Sequence, residues 1–247
     1  MTLERSYPSG SLLFASPLTR RLARLWPLEA ADCKALEDLV RDSEWVGPDV
    51  ALLKAGDDPD VVIALLDGLA YEHQDFAAGR RQITGLRFPG DLCDGHFALS
   101  GPVDYGVLTL TRSRISRIPV DRFVRRLERR PAIAQALQLA AAREEVILRA
   151  WMANLGQRPA YERLAHLICE VAQRMASRGL LFANGGFELP LTQQELGWAL
   201  GLTSVHVNRV LRRLRDEGLI EVRSGLVQPR DLERLQTVAG FDPSYLD

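Results

Sequence analysis

The chain has 247 residues, an apolar content of 47% and a formal net charge of −1, which suits two domains with real hydrophobic cores. It contains no stretch approaching the roughly 18 to 20 consecutive apolar residues of a membrane span. The first residues lack the charged-then-apolar layout of a secretory signal, so we expect a cytoplasmic protein. The widely separated Cys33, Cys93 and Cys169 indicate neither a disulfide framework nor a metal site.

Charge is distributed unevenly along the chain. Acidic residues clearly outnumber basic ones from Glu29 to Asp75, whereas the later segments carry most of the basic charge as arginine. An acidic front and an arginine-rich back are typical of a protein that turns one end toward a polyanion. Arginine also suits forked contacts to phosphate and guanine.

In the first half of the chain, the sequence pattern changes from helical to strand-like near Trp45. Residues 18–42 predict a helical segment that is interrupted at Pro27. From Trp45 to Pro119, short apolar runs alternate with turn signals roughly every 8 to 12 residues, including the Pro89-Gly90-Asp91 turn. This alternation predicts a small antiparallel barrel or jelly roll.

A long helical pattern follows from Val120 to about Gly156. Apolar residues recur at steps of three and four along it, at Ile133, Leu137, Ala140, Ile147 and Trp151. A second stripe contains Ala141, Leu148 and Leu155. A helix with two apolar stripes can cover the barrel with one and pair with a twin helix through the other. We predict a dimerisation helix marked by the first stripe; the alternative is a helix packed wholly within one subunit.

The segment from Leu191 to Val227 predicts two short helices, a tight turn and a β-wing. It follows a hinge at Pro159 and an amphipathic helix from about residue 161 to residue 175. Thr192 and Glu195 have the spacing of a capping box, and Gly201 provides a helix end. Thr203 is a second N-cap.

The second of these helices is strongly amphipathic. Its inward positions are apolar: Val207, Val210, Leu211 and Leu214. The opposite face is polar and basic and carries no acid: Ser204, His206, Asn208, Arg209, Arg212, Arg213 and Arg215. With the caps and the wing, this pattern predicts a helix-turn-helix that binds duplex DNA. The alternative is an ordinary helical hairpin with a solvated basic face.

The whole order of elements resembles the Crp/Fnr superfamily of bacterial transcription regulators. The segments that carry the resemblance are LLKAGDDPDVVIALLDGLAY, FPGDL, RRPAIAQALQLAAAREEVILRAW, YERLAHLICEVAQR and LTQQELGWALGLTSVHVNRVLRRLRDEGLIE. The resemblance implies an α+β fold with three parts. An N-terminal helical segment and a cyclic-nucleotide-binding-like antiparallel jelly roll would span residues 1–119, a dimerisation helix residues 120–157, and a winged helix-turn-helix residues 158–247.

The resemblance also implies partners and residue roles. The partners are a second copy of the chain, a palindromic double-stranded operator and RNA polymerase. The positions that match base-reading ones are Ser204, Val205, Asn208 and Arg209, and Arg209 can bond the O6 and N7 of a guanine. The positions that match phosphate contacts, or add charge beside them, are Thr192, Gln194, Thr203, His206, Arg212 and Arg213. Because Ser204 and Val205 replace the arginine or glutamate of well-known members, operator sequences are not carried over.

An effector site in the barrel would involve Gly90, Asp91, Asp104, Leu148 and Arg149. Gly90-Asp91 stands where nucleotide-binding members place a Gly-Glu pair for the ribose. Asp104 lies where their phosphate-binding arginine would be, and its charge would repel a phosphate. We therefore do not expect a cyclic nucleotide to be the effector.

Two other sensor types of the family use cysteine or histidine ligands that can be sought in this sequence. An iron–sulfur centre is not expected, because no cysteine precedes Cys33. Haem is an alternative, since Cys93 and His96 follow the Gly-Asp turn, with spacing one residue away from that of the carbon-monoxide sensor. The simpler interpretation is a buried thiol and a surface histidine. The sequence therefore assigns no cofactor, and the effector stays unknown.

Two further function classes compete with a regulator. An enzyme is not expected, because the barrel segment has only His73 and His96 and lacks a clustered histidine–carboxylate motif. The chain also lacks a nucleophile elbow and a P-loop. A non-DNA-binding interaction module with the same fold remains the other alternative.

Overall fold

The computed structural model describes residues 15–93 and 101–246. The N-terminal elements are α1 (Pro17–Leu25), α2 (Ala30–Leu39), β1 (Glu44–Val46), β2 (Ala51–Leu53), β3 (Val61–Asp67), β4 (Ala70–Phe76), β5 (Arg80–Arg87), β6 (Gly106–Thr109) and β7 (Ser113–Pro119). Three helices follow: α3 (Val120–Arg129), α4 (Pro131–Gln157) and α5 (Ala160–Arg178). The C-terminal elements are β8 (Phe187–Glu188), α6 (Gln193–Leu200), α7 (Ser204–Asp216), β9 (Ile220–Arg223), β10 (Leu226–Pro229) and α8 (Leu232–Ala239).

The N-terminal strands form two antiparallel sheets, with the orders β1-β7-β3 and β2-β6-β4-β5. Apolar side chains from both sheets meet between them, including Ile63 and Leu65 of β3 and Val107 of β6. The β3–β4 turn places Gly68 at φ +82°, where an added Cβ would lie 2.3 Å from the Ser113 hydroxyl oxygen, so glycine is required there. The predicted antiparallel jelly roll is confirmed.

The helical segment predicted to span residues 120–157 is two helices. The chain breaks at Arg130, whose φ of −136° and ψ of 76° are not helical. Pro131 explains the break, because proline disfavours helical geometry in the residue before it and is well suited to begin a helix. The resulting α4 has 27 residues and is about 40 Å long. None of the described helices has both the length and the apolar character needed to cross a membrane.

The stripe predicted to mark the dimer helix lies inside the protomer. Four of its members are buried: Ile133, Ala140, Ile147 and Trp151. Ile133 and Ala140 pack with α1 and α2, and Leu137 lies at the edge of the same cluster. The Trp151 indole donates to both carboxylate oxygens of Glu170 on α5 at 3.0 Å. The assignment of this stripe to a dimer contact is therefore wrong, because its side chains are already covered by their own chain.

The β4–β5 region of the barrel and the C-terminal domain share a hydrophobic cluster, which is separate from the one between the two sheets. Tyr71, Ile83 and Phe88 of the β4–β5 region belong to the same buried cluster as Leu167 and Val171 of α5. A polar contact extends this packing to the helix-turn-helix. The Gln82 side-chain amide donates to the Ala199 carbonyl of α6 at 3.5 Å. The position of the C-terminal domain is thus set by the barrel as well as by α4.

Candidate nucleic-acid interface

The first helix of the helix-turn-helix begins and ends as its sequence predicts. The Thr192 hydroxyl accepts from the Glu195 amide at 3.1 Å, and the Glu195 carboxylate accepts from the Thr192 amide at 2.7 Å. The helix ends at Gly201, whose φ of +64° is left-handed. An added Cβ at Gly197 would lie 2.5 Å from the Leu202 carbonyl oxygen. Glycine at this position therefore lets the turn approach the helix closely.

The second helix, α7, is held by its apolar face. Thr203 caps it by accepting from the His206 amide at 3.2 Å. Val207, Val210 and Leu214 are buried against the rest of the domain. The predicted inward face is confirmed, and the opposite face of α7 is left to solvent.

All four predicted base-reading residues lie on this opposite face. Ser204, Val205 and Arg209 are exposed, and Asn208 is half-buried beside them. Val205 is 69% exposed although it is a large apolar residue. Residues four apart on a helix share a face, so these side chains form one continuous stripe. We call this stripe, together with Arg212, the outer face of α7.

Neighbouring arginines of α7 differ in their partners. Among the described residues, Arg209 and Arg212 have no hydrogen-bonded or ion-paired side-chain partner. Arg213 instead pairs with Glu217 at 2.8 Å and stacks over the Tyr161 ring at 3.9 Å. Burial together with the Glu217 carboxylate raises the pKa of Tyr161 to about 12, so the phenol keeps its proton and donates to Glu217. Arg213 is therefore already bound to its own protein.

The remaining residues predicted to contact phosphate differ in whether their side chains have a free hydrogen-bond donor. Gln194, Thr203 and His206 are exposed. The Thr192 hydroxyl donates to the Glu195 carboxylate at 2.7 Å, so its only proton is used inside the capping box. A phosphate oxygen only accepts, which leaves Thr192 without a free side-chain donor in this conformation. The other contacts stay predictions.

The wing is a short antiparallel hairpin of β9 and β10. Ser224 and Gly225 form its turn with φ values of +49° and +81°, which match the twist of a tight hairpin. Arg223 and Arg230 are exposed on this hairpin, and both pair with Glu221. The sequence interpretation did not single out these two arginines.

Asp91, predicted for an effector pocket, has a different role. Its side chain is 1% exposed, and one carboxylate oxygen lies 2.9 Å from Arg21 of α1 and 2.8 Å from Arg178 of α5. The other oxygen accepts from the Phe88 amide at 2.9 Å. Burial raises the pKa of Asp91, but the surrounding arginines outweigh it and hold the pKa well below its usual range. Its neighbour Gly90, at φ +97°, would place a Cβ 2.6 Å from the Pro17 carbonyl oxygen.

These contacts belong to a larger group that joins the domains. Arg87 bonds Glu72 at 3.0 Å and Glu144 at 2.6 Å, and Glu144 also pairs with Arg21 at 2.7 Å. Arg174 lies 3.5 Å from Asp91 and 3.6 Å from Glu144. We call this group the interdomain ion cluster; its members are Arg21, Glu72, Arg87, Asp91, Glu144, Arg174 and Arg178. It connects α1, the barrel, α4 and α5.

The other residues predicted for the effector pocket do not join Asp91. Asp104 and Leu148 are exposed, and the exposed Arg149 pairs with Glu145 on its own helix. Both oxygens of Asp91 are already satisfied, and Asp104 brings a like charge to any phosphate. The residues present therefore do not fit a cyclic nucleotide.

Of the two haem candidates, Cys93 lies within the described residues. The Cys93 side chain is buried, its amide donates to the Ile63 carbonyl at 2.8 Å, and its carbonyl accepts from the Tyr105 hydroxyl at 2.8 Å. His96 lies outside the described residues. Within the described ranges, no group of three or more histidine, cysteine or acidic side chains is placed to hold a metal ion. A haem-dependent function gains no support from these contacts.

Comparisons with known proteins agree with this geometry. Residues 162–238 match the family of the Crp-like helix-turn-helix domain. The chain is 32% identical over 191 residues to the transcriptional activator protein FnrL of Cereibacter sphaeroides, covering 76% of each chain. It is 30% identical over 224 residues to the transcriptional activatory protein AadR of Rhodopseudomonas palustris, covering 89% of this chain and 90% of the relative.

A solved structure supports the fold across both domains. FixK2 from Bradyrhizobium japonicum superposes with a TM-score of 0.71 at 21% identity, covering 81% of this chain and 98% of FixK2. Together with the Crp-like helix-turn-helix match and the relatives named as transcriptional activators, this fold defines the chain as a DNA-binding transcription regulator and not an enzyme. The chain belongs to the Crp/Fnr superfamily of transcriptional regulators, as the sequence resemblance predicted.

Proposed function

We propose that this regulator works as a homodimer that reads a palindromic operator. Each α7 would enter the major groove, and the two half-sites would lie about one helical turn, roughly 34 Å, apart. The observation that carries this proposal is the outer face of α7, on which all members but the half-buried Asn208 are exposed.

Arg209 is the residue we propose to read a guanine. It is exposed and has no carboxylate partner among the described residues, so its guanidinium fork is available to the O6 and N7 acceptors. Val205, at 69% exposure, supplies an apolar surface suited to a thymine methyl group. Ser204 and Asn208 lie on the same face and supply hydrogen-bonding groups for neighbouring bases.

Phosphate contacts would position these side chains on the duplex. Arg212 is exposed and unpaired in the described part of the chain, and Gln194, Thr203 and His206 are exposed near the beginnings of α6 and α7. The first amides of a helix lack partners within the helix and attract anions, which favours phosphate at both sites.

The proposed dimer contact uses Leu148, which belongs to the second apolar stripe of α4, together with Met152 beside that stripe. Leu148 is 51% exposed and Met152, one turn later, is 66% exposed, so two large apolar side chains are uncovered on the same face. A twin α4 would cover both. Replacing both by glutamate should convert a dimer to a monomer in sedimentation equilibrium. Leu232→Glu, which alters another exposed apolar residue on α8, is the matched control.

The jelly roll would control the DNA-binding domain. The β4–β5 region and α5 share a hydrophobic cluster, and the interdomain ion cluster also joins the barrel to α5, so a change in this part of the barrel can move α5. An effector that binds one arrangement better than another would shift the population of DNA-competent protein. As a transcription regulator the protein would act in the cytoplasm together with RNA polymerase.

The test is selection of bound duplexes from a random-sequence library at a stated salt concentration. Wild-type protein should enrich a palindrome, and Arg209→Ala should lose one symmetric guanine preference at a cost of about 1–3 kcal/mol per base contact. Arg125→Ala is the matched control, because Arg125 is exposed on α3 and pairs only with Asp121 there.

Two results would count against the proposal. Enrichment of a consensus without two-fold symmetry would contradict the dimeric mode of reading. An unchanged consensus with Arg209→Ala would show that α7 does not read the operator through this residue.

A further inference from the structure

A cavity of about 840 Å³ lies outside the barrel, where α1, the end of α2, α4 and the end of α5 meet. Eight arginines and three acidic residues line it. This volume falls in the usual range for small-molecule sites, about 300–1,000 Å³. Asp91 and Asp38, which lie behind the wall, pair with four of these arginines, so the case for an anion site rests on Arg20 and Arg114.

The acidic residues of the wall do not neutralise this excess. Glu144 is shared by Arg21, Arg87 and Arg174 within the interdomain ion cluster. Glu37 accepts from the Ser16 amide and from the Thr19 hydroxyl. The charges of Glu144 and Glu37 are thus used to hold α1 and α4 in place. The third acidic residue, Asp67, lies opposite Arg114 in the β3–β7 ladder, and its carboxylate accepts from the Gly68 amide at 2.7 Å.

Two arginines of the wall lack such partners. In the part of the chain that the structure describes, neither Arg20 of α1 nor Arg114 of β7 has a hydrogen-bonded or ion-paired side-chain group, and both are half-buried. The Arg114 Nε is buried and has no hydrogen-bond acceptor among the described residues. A buried donor without a partner costs free energy, so an anion bound nearby would remove a penalty that the apo protein carries.

We propose that this cavity binds a phosphorylated small molecule of nucleotide size. Guanidinium groups match phosphate oxygens in bidentate geometry, and Arg20 and Arg114 supply two that are not already bound. The rest of the wall includes Leu25, Leu66 and Ile147, which suit the organic part of such a ligand. The site is separate from the barrel interior where the sequence placed an effector.

The position of the cavity gives it a path to DNA binding. Arg21, Arg174 and Arg178 line the cavity and also hold Asp91. A phosphate in the cavity competes with Asp91 for these arginines and so shifts the contacts between the barrel and α5. This regulatory consequence rests on the proposed function, whereas ligand binding itself does not.

The test is titration calorimetry of the full chain with ATP and with citrate at constant ionic strength. ATP should bind at least tenfold more tightly than citrate, because the proposal assigns the arginines to phosphate groups. Equal affinities, or no ATP binding at millimolar concentration, would overturn it.

Substitutions of the two unpaired arginines test whether ATP binds in this cavity. Arg20→Gln and Arg114→Gln should each weaken ATP binding at least tenfold without lowering the Tm of the unliganded protein. Arg117→Gln is the matched control, because Arg117 lies on the same strand as Arg114 but pairs with Glu44 outside the cavity. Equal affinity in Arg114→Gln and Arg117→Gln would overturn the assignment.

The outer face of α7 is also basic and could bind ATP, so the experiment must distinguish ATP bound there from ATP bound in the cavity. Arg209→Ala should lose operator preference but keep its affinity for ATP. If Arg209→Ala abolishes ATP binding while Arg20→Gln and Arg114→Gln retain it, ATP binds α7 and the cavity proposal is wrong. Failure of operator selection with intact ATP binding would instead count only against the proposed function.

Discussion

The outer face of α7 and the interdomain ion cluster are both rich in arginine but have opposite properties. Arg209 and Arg212 are exposed and have no carboxylate partner in the described structure. Arg174 is buried and Arg178 is half-buried, with side chains 4% and 12% exposed, and both pair with Asp91. An arginine-rich segment is therefore a binding surface only where the protein leaves its guanidinium groups unpaired.

The physical reason is the cost of removing charge from water. A buried guanidinium is tolerable only with carboxylates close by, so the interdomain cluster brings Glu72, Asp91 and Glu144 to its arginines. An exposed arginine is already hydrated and needs no such partner. The first arrangement holds two domains together, and the second leaves positive charge free for a polyanion.

The largest expected effect comes from breaking the buried arrangement. Asp91→Asn removes the carboxylate that Arg21, Arg174 and Arg178 share. We expect a loss of about 3–5 kcal/mol of unfolding free energy, as for other buried pairs that lose one partner. Urea unfolding of the wild type and Asp91→Asn at neutral pH measures this loss of unfolding free energy.

Glu145→Gln is the control for this prediction. Glu145 also pairs with an arginine, Arg149, but both side chains are more than half exposed. The loss should be below about 1 kcal/mol. Similar losses in the two variants would show that burial is not what separates the two arrangements.

His166 is a buried basic residue that, unlike the arginines of the interdomain ion cluster, is not paired with any carboxylate among the described residues. His166 of α5 is buried against Phe241 and Tyr245, and its Nδ1 has no hydrogen-bond partner in the described part of the chain. Burial, assisted by the charge of Arg158, lowers the pKa of His166 from 6.5 to about 4. The folded protein thus keeps this imidazole neutral at pH values where the unfolded chain protonates it.

The sign of the pH dependence follows from this lowered pKa. The contribution is fully present above about pH 6.5 and is lost as the pH falls toward 4. Between pH 7.5 and 5.5 the wild type should lose about 1.4 kcal/mol more stability than His166→Gln. Urea unfolding of both proteins at the two pH values measures the difference. An equal loss would mean that His166 does not titrate on unfolding.

The smallest expected effect is a change in the salt dependence of duplex binding when one of two neighbouring arginines of α7 is replaced. Arg212→Ala should reduce the slope of log K against log salt for duplex binding by about 1, because one phosphate contact disappears. Arg213→Ala should change the slope less, because Arg213 is already paired with Glu217. Fluorescence anisotropy over a salt series measures both slopes. Equal reductions would remove the distinction between a free and a paired arginine.

The helix-turn-helix could be predicted from the sequence because its determinants are local. Thr192 and Glu195 are three residues apart, and so are Thr203 and the amide that it caps. The apolar period of α7 likewise required no knowledge of the rest of the fold. The Crp/Fnr resemblance followed from the same segments.

The assignments that failed depended on which surfaces meet. Both apolar stripes of α4 satisfy the same periodicity, and only the packing of α1, α2 and α5 shows that Ile133 and Trp151 are internal while Leu148 is exposed. The break at Arg130 had a local signal in Pro131, which the long apolar pattern obscured.

By itself, the sequence determined the order of elements, the caps and turns, and the basic face of α7, because these depend on neighbours within a few residues. The tertiary structure alone decided the role of Asp91. Its partners Arg21, Arg174 and Arg178 are far away along the chain, and no periodic pattern connects them. The same holds for the arginine-lined cavity, whose walls come from distant segments. Electrostatic pairing acts over a few ångströms in space, so it becomes readable only once the fold has brought these charges together.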